Sequence, residues 1–218
     1  MEHQELVRGR RMLRRFDPDR PVDEATITRA LQAATRAPSA GWSQGWDFVV
    51  LRRPGDVARY WEVTRRPGPP DAWARGVMTA PCLVVVCSDP RRYLDRYAEP
   101  DKGWTDRDPA RWPVPWWDVD AGMAALLVLL SVHDAGLGGL LCGIPAGRQD
   151  AVRRAFGIPA DRRLVGLLAL GHPPADGARG VRGSAGRGRR PLTEVAHDGR
   201  FGRPWDPEIG PDQVPGDT

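Results

Sequence analysis

Arginines at positions 10, 11 and 14, and a second arginine group far along the chain, are the residues whose type and spacing could do chemistry. The stretch 8–15 carries five arginines and no acid, and 179–190 carries five more and no acid. Lys102 is the only lysine in these 218 residues, so the positive charge is almost wholly guanidinium. A guanidinium fork matches phosphate oxygens two at a time, and several forks on one phosphate make a specific anchor. The spacing predicts a short basic helix over 7–16, with Arg10 and Arg14 on one face and Arg11 beside them. A solvated basic helix face also accounts for either cluster taken alone. Single-stranded nucleic acid is a further candidate for arginines with tryptophan nearby. Against it, no RNP-like or helix-turn-helix pattern occurs, and the tryptophans lie in acid-containing segments away from both clusters.

Other chemistries are missing. There is no GxxxxGK[ST] loop, no HExxH and no GxSxG, and the glycines at 136, 138 and 139 precede a strand rather than join a strand to a helix. The four histidines are scattered, and Cys82, Cys87 and Cys142 form no CxxC pair and no metal spacing. No metal site and no catalytic side chain is therefore expected; if the protein is an enzyme, a cofactor carries the reaction. The longest apolar run, 121–132, is short of the roughly 20 residues of a membrane helix. The N-terminus lacks the apolar core of a secretory signal. These readings predict a soluble cytoplasmic protein with neither membrane nor nucleic-acid partners.

The elements that must position the arginines follow from periodicity. Asp23 is a helix N-cap ahead of the apolar stripe Ile27, Leu31, Ala34. Residues 47–51 read as a strand, 54–62 and 72–78 as helices, and 82–87 as a strand buried on both faces. Asp118 or Asp120 opens a long apolar helix over 121–133 that stops at Gly136. A short strand (138–143), a helix (148–156) and a last strand (164–170) complete the core. Residues 97–117 break this rhythm with four prolines and four tryptophans, the mark of an ordered functional or interface loop.

The motifs RRMLRRF (10–16), APSAGWSQGWDFVV (37–50), DAG (120–122), AGLGGLLCGIP (135–145), VGLLALGHP (165–173) and RGRRPLTEV (187–195) occur in this order. Together they closely resemble the FMN-dependent nitroreductase family over about residues 6–200, and the aromatic insert resembles an actinobacterial branch of it. The resemblance implies an α+β fold with a central, mostly antiparallel mixed sheet flanked by helices. It also implies an intertwined homodimer with an extended C-terminal arm. A single FMN-binding domain then spans 1–200, with 97–117 as a lid insert, 172–200 as the arm and 201–218 as a flexible tail.

Roles carry over residue by residue. The resemblance makes Arg10, Arg11 and Arg14 phosphate and ribityl contacts, with Met12 supplying backbone. It sets the small residues Pro38, Ser39, Ala40 and Gly41 against the isoalloxazine ring, and the Cys142–Gly143 backbone at flavin N5. Arg187 and Arg189 match a late basic pair that closes on the phosphate. Trp42 stands where the family usually has Asn, and Gly45 where it has Pro. Trp42 and the insert residues Trp104, Trp112, Trp116 and Trp117 are the substrate candidates, although each insert ring could equally pack the lid onto its own domain or its partner.

The implied activity is ping-pong hydride transfer from NAD(P)H through flavin N5 to a planar, nitroaromatic- or quinone-like small molecule. Two rivals accompany it: a tailoring dehydrogenase that oxidises a biosynthetic intermediate and passes electrons to O₂, and a non-enzymatic flavin- or nucleic-acid-binding protein.

Overall fold

A computed structural model describes residues 2–176 and 188–205. The chain divides into two compact units, Met1–Val181 and Arg182–Thr218. The predicted cofactor contact Arg187 lies outside the described residues, as do parts of the arm and tail.

The first unit is built on a four-stranded sheet of β1 (Trp46–Leu51), β2 (Cys82–Ser88), β3 (Gly138–Cys142) and β4 (Arg163–Gly171) in the order β1-β2-β4-β3. All three strand pairings are antiparallel, and the parallel element is an isolated bridge between Met12 and Gly139. All seven residues of β2 are buried, so the strand is apolar on both sides and its alternation feeds two cores. Val84 and Val86 pack with Leu168, Ala124, Ala125 and Val128 on one face. Leu83 and Val85 pack with Tyr60, Val77, Leu167 and Val152 on the other.

The first core is closed by α2 (Glu24–Ala34) and α6 (Trp116–Asp134), and the second by α3 (Pro54–Thr64), α4 (Ala72–Val77) and α7 (Gln149–Phe156). Asp23 caps α2 by accepting from Thr26 N at 2.8 Å. Gly136, at φ 77°, supplies the left-handed turn after α6. At 19 residues and a mean hydropathy of 1.2, α6 is long and apolar enough to cross a membrane, which the shorter run read from sequence did not suggest. Alanines at 121, 124 and 125 instead let it lie closely on the sheet and α2, with eight of its residues buried.

Two expectations need correction. The N-terminal helix, α1, is His3–Gly9, and residues 10–16 are not helical. Leu13 and Phe16 are buried, Leu13 N donates to the Gly139 carbonyl, and Phe16 N donates to Thr79 Oγ1. Tertiary pairing here overrides a weak local helix preference, so the shared helical face expected of Arg10 and Arg14 does not exist. The insert is also shorter than predicted. Asp89 caps an unforeseen helix, α5 (Pro90–Tyr97), and Trp116 and Trp117 belong to the first turn of α6.

Within the second unit, α8 (Leu192–Val195) leads into a hairpin-like turn in which His197 bridges Pro204 and Arg203 pairs with Asp198 at 2.8 Å. Arg189 is exposed.

Candidate functional site

The bridge to Gly139 sets Arg10–Arg14 along the outer edge of β3, at its first residues. Arg10 is half-buried, and its Nη1 is enclosed with no hydrogen-bond partner among the described residues. Arg11 Nη1 turns back onto the Arg8 and Arg10 carbonyls, and Arg14 Nη1 reaches the Met12 carbonyl at 3.3 Å. Among the described residues no carboxylate pairs with any of these three. Their neighbour Arg15 does have one: it meets Asp176 at 2.5 Å, and the guanidinium holds that carboxyl below the usual range. Arg96, Arg111, Arg162 and Arg163 are likewise matched to acids elsewhere. Three guanidinium groups without acid partners, one with a buried orphan nitrogen, are donors that an anion could satisfy.

Pro38–Gly41 precedes β1 and turns through a 3-10 segment, Ala40–Trp42. Gly41 and Trp42 both have φ 60°. Gly41 is required twice over, because a Cβ would stand 2.7 Å from the Tyr97 ring. The turn is pinned from outside: Ala40 N donates to Asp120 Oδ2 at 2.9 Å, and Arg96 Nε donates to the Gly41 carbonyl at 2.9 Å. The Ala40 N–H is thus committed within the protein. Trp42 is 68% exposed, its ring projecting from a backbone conformation that few L-residues adopt.

Cys142 ends β3 opposite Leu167, and Gly143 follows it, exposed. Burial pushes the Cys142 thiol up to about 11, so it is a packing group rather than a nucleophile. The strand registers put Gly138 at the end of the sheet that holds Leu51 and Cys82, opposite the end that holds Trp46 and Ser88, and Cys142 between them, level with Leu167, Val85 and Val49. The Pro38–Gly41 turn and the arginine segment therefore belong to diagonal corners of the sheet, about 20 Å apart from strand spacing and rise.

The insert folds as a tryptophan stack. Trp112 packs edge-on against Tyr97 at 4.6 Å, Trp104 at 5.4 Å, and Trp117 and Tyr93 at 6.0 Å each. Arg96–Asp101 and Arg111–Asp106 pairs staple it, Arg111 covers Trp104, and Lys102 lies 5.2 Å above the Tyr97 ring. Trp112 and Trp116 line a cavity of about 470 Å³ beside Pro38, Ser39 and Ala40. Trp104 is held in the stack, Trp117 is buried, and neither they nor Trp42 line this cavity. A larger groove of about 1130 Å³, along Trp61, Arg65 and Met78, contains none of the residues singled out from sequence.

The residues that sequence reasoning missed are Asp120, Tyr93 and Tyr97. Asp120 is 1% exposed; its Oδ2 also accepts from Tyr93 Oη at 2.8 Å, and burial followed by this bond drives the phenol pKa upward. A carboxylate set in an otherwise apolar helix was the available signal. No group of His, Cys, Asp and Glu suited to a metal occurs among the described residues.

Known proteins are similar to this chain in sequence and in fold. An Archaeoglobus fulgidus protein with the provisional name NADH dehydrogenase/NAD(P)H nitroreductase is 27% identical over 170 residues, covering 77% of this chain and 83% of its own. The NADH dehydrogenase of Thermus thermophilus is 28% identical over 187 residues, covering 77% and 85%. A structure from Exiguobacterium sibiricum, solved in complex with FMN, superposes with a TM-score of 0.65 at 24% identity, covering 90% of this chain and 96% of that one. The Nitroreductase family matches residues 7–172, which hold the sheet, the arginine segment, the pinned turn and the tryptophan stack; the chain belongs to that family of oxidoreductases.

Proposed function

We propose that the protein is an FMN-dependent oxidoreductase that uses NAD(P)H to reduce a planar aromatic small molecule, nitroaromatic- or quinone-like, and works as a homodimer. The observation that carries this reading is the acid-free arginine segment with its buried Arg10 Nη1, which suits a phosphate monoester. Arg10, Arg11 and Arg14 would hold the FMN phosphate, with Arg187 and Arg189 as further contacts. The Met12 backbone would run beside the ribityl chain, and the Cys142–Gly143 backbone would face N5. When bound, FMN supplies a two-electron centre that takes hydride from NAD(P)H and gives it to the acceptor. For a nitroarene the balance is ArNO₂ + NAD(P)H + H⁺ → ArNO + NAD(P)⁺ + H₂O.

Two features support the dimer. The Pro38–Gly41 turn and the arginine segment are too far apart to serve opposite ends of one flavin comfortably, whereas a second copy could bring its own turn to the first copy's arginines. Helix α6 also presents Val119, Met123, Leu126 and Leu130 at alternating spacings of four and three, with Val119 and Leu126 exposed. The chain's own task in turnover is then to anchor, orient and exclude water, with the insert roofing the substrate. Three unpaired thiols support a cytoplasmic location.

The test is direct. Purified protein is denatured and the supernatant assayed for FMN; a colourless protein that takes up no added FMN would overturn the reading. Anaerobic bleaching of the flavin by NAD(P)H is expected. Flavin that stays oxidised with NAD(P)H, yet is reduced by an oxidisable organic substrate, would favour the dehydrogenase instead.

A further inference from the structure

The cavity of about 470 Å³ between the pinned turn and the insert has an unusual charge balance. Its walls include Tyr97, Trp112, Trp116 and Met123, and among the described residues Asp120 is the only charged one that lines it. Arg96, the guanidinium nearest the turn in the hydrogen-bond network, is spent on the Gly41 carbonyl, Glu99 and Asp101. Asp120 Oδ2 is spent as well, on Ala40 N and Tyr93 Oη. Asp120 Oδ1 is different: it is buried and has no hydrogen-bond partner among the described residues.

A buried acceptor without a donor is costly and calls for a partner that is not part of the chain. Aromatic faces attract cations through their quadrupoles, and a carboxylate oxygen shielded from bulk water does so more strongly than one in solvent. An anionic group in the same space would meet the Asp120 carboxylate, with Arg96 already held on the Gly41 carbonyl and its acids and Lys102 lying over the Tyr97 ring.

We infer that this cavity selects aromatic compounds bearing a protonated amine, and that Asp120 Oδ1 receives the ammonium while Tyr97, Trp112 and Trp116 surround it. The use of such a compound as electron acceptor rests on the oxidoreductase reading above; its binding does not. Selectivity then comes from the insert and α6, elements separate from the arginine segment that would hold the cofactor.

Three isosteric probes test this: 4-nitrobenzylamine, 4-nitrobenzyl alcohol and 4-nitrobenzoate, titrated against the protein as purified with quenching of tryptophan emission as the readout. The amine is expected to bind about tenfold tighter than the alcohol, the size of one charge-assisted hydrogen bond, and the benzoate weakest. Asp120→Asn keeps an oxygen for Ala40 N and Tyr93 Oη but removes the charge, so the preference for amine over alcohol should collapse. Met123→Phe should weaken all three probes together by narrowing the cavity, and it decides the location if Asp120→Asn does not fold. Equal affinities, a preference for benzoate, or an amine preference that survives Asp120→Asn would each overturn the inference. If the protein takes up no FMN, the oxidoreductase reading fails, while the same titrations on the flavin-free chain still decide the cation preference.

Discussion

Leu13 occupies the space that a side chain on Gly138 would need: a Cβ there would stand 2.3 Å from Leu13 Cδ2 and 2.7 Å from Leu13 Cβ. The missing side chain is what lets the arginine segment dock against β3. Gly138→Ala should therefore push Leu13 away and cost about 1–3 kcal/mol, as overpacking does. Urea denaturation measures the loss, and weaker FMN uptake measured on still-folded protein would show the segment displaced.

Arg10→Ala and Arg14→Ala each remove a guanidinium that has no carboxylate partner among the described residues. Each should weaken FMN binding by about tenfold or more, from the roughly 1.5–3 kcal/mol of a charge-assisted hydrogen bond. Thermal stability of the flavin-free protein should change little. Flavin fluorescence titration of the two variants checks this, and unchanged affinity would remove these arginines from the phosphate site.

Burial pushes Cys82 and Cys87 up to about 12 and Cys142 up to about 11, from an ordinary 9. Protons are thus held more tightly in the folded state, and this contribution to stability is complete below pH 9 and disappears as pH rises through 11 to 12. Unfolding midpoints should fall steeply over that window. At pH 8 all three thiols should resist iodoacetamide until the chain is unfolded, a result read by mass spectrometry. The acid side has the opposite sign. Asp101 and Asp106 are held below 3.8 by hydrogen bonds to Arg96 and Arg111. Their staples on the insert should be fully present above the ordinary carboxylate range and lost as pH falls through the lowered pKa values, changing the emission of Trp104 before the sheet unfolds.

Leu126 is 47% exposed in the middle of the apolar stripe on α6. Leu126→Glu should add a charge to that stripe without touching the core beneath. Sedimentation velocity should then show a monomer where the parent chain sediments as a dimer, and loss of FMN along with the dimer would indicate that both copies build the site.

Much of the sheet was legible in the sequence because its signal is local. Cys82–Ser88 is apolar at nearly every position and proves buried on both faces, and Asp23 announces α2 as its cap. The arginine segment misled because its conformation is fixed by partners more than 120 residues away, Gly138 and Gly139, which propensity cannot see. The start of α5 was marked by Asp89–Pro90, a capping pair obscured by the charged run that follows it. At the site, residue types were readable but neighbourhoods were not: nothing in the spacing of Asp120 and Ala40 says that they share a hydrogen bond. Trp112 and Trp117 were visible as a pair of aromatics, yet only the fold separates a ring that lines the cavity from one sealed beneath it.

The single lysine gives this chain an unplanned experimental handle. Lys102 hangs over the Tyr97 ring, and Tyr97 is also a wall of the aromatic cavity. An amine-reactive dye can therefore attach at only one side chain, and that one lies over a ring that lines the cavity. Occupancy, opening of the insert and solvent entry could all be followed optically from that point, with every other side chain left as it is.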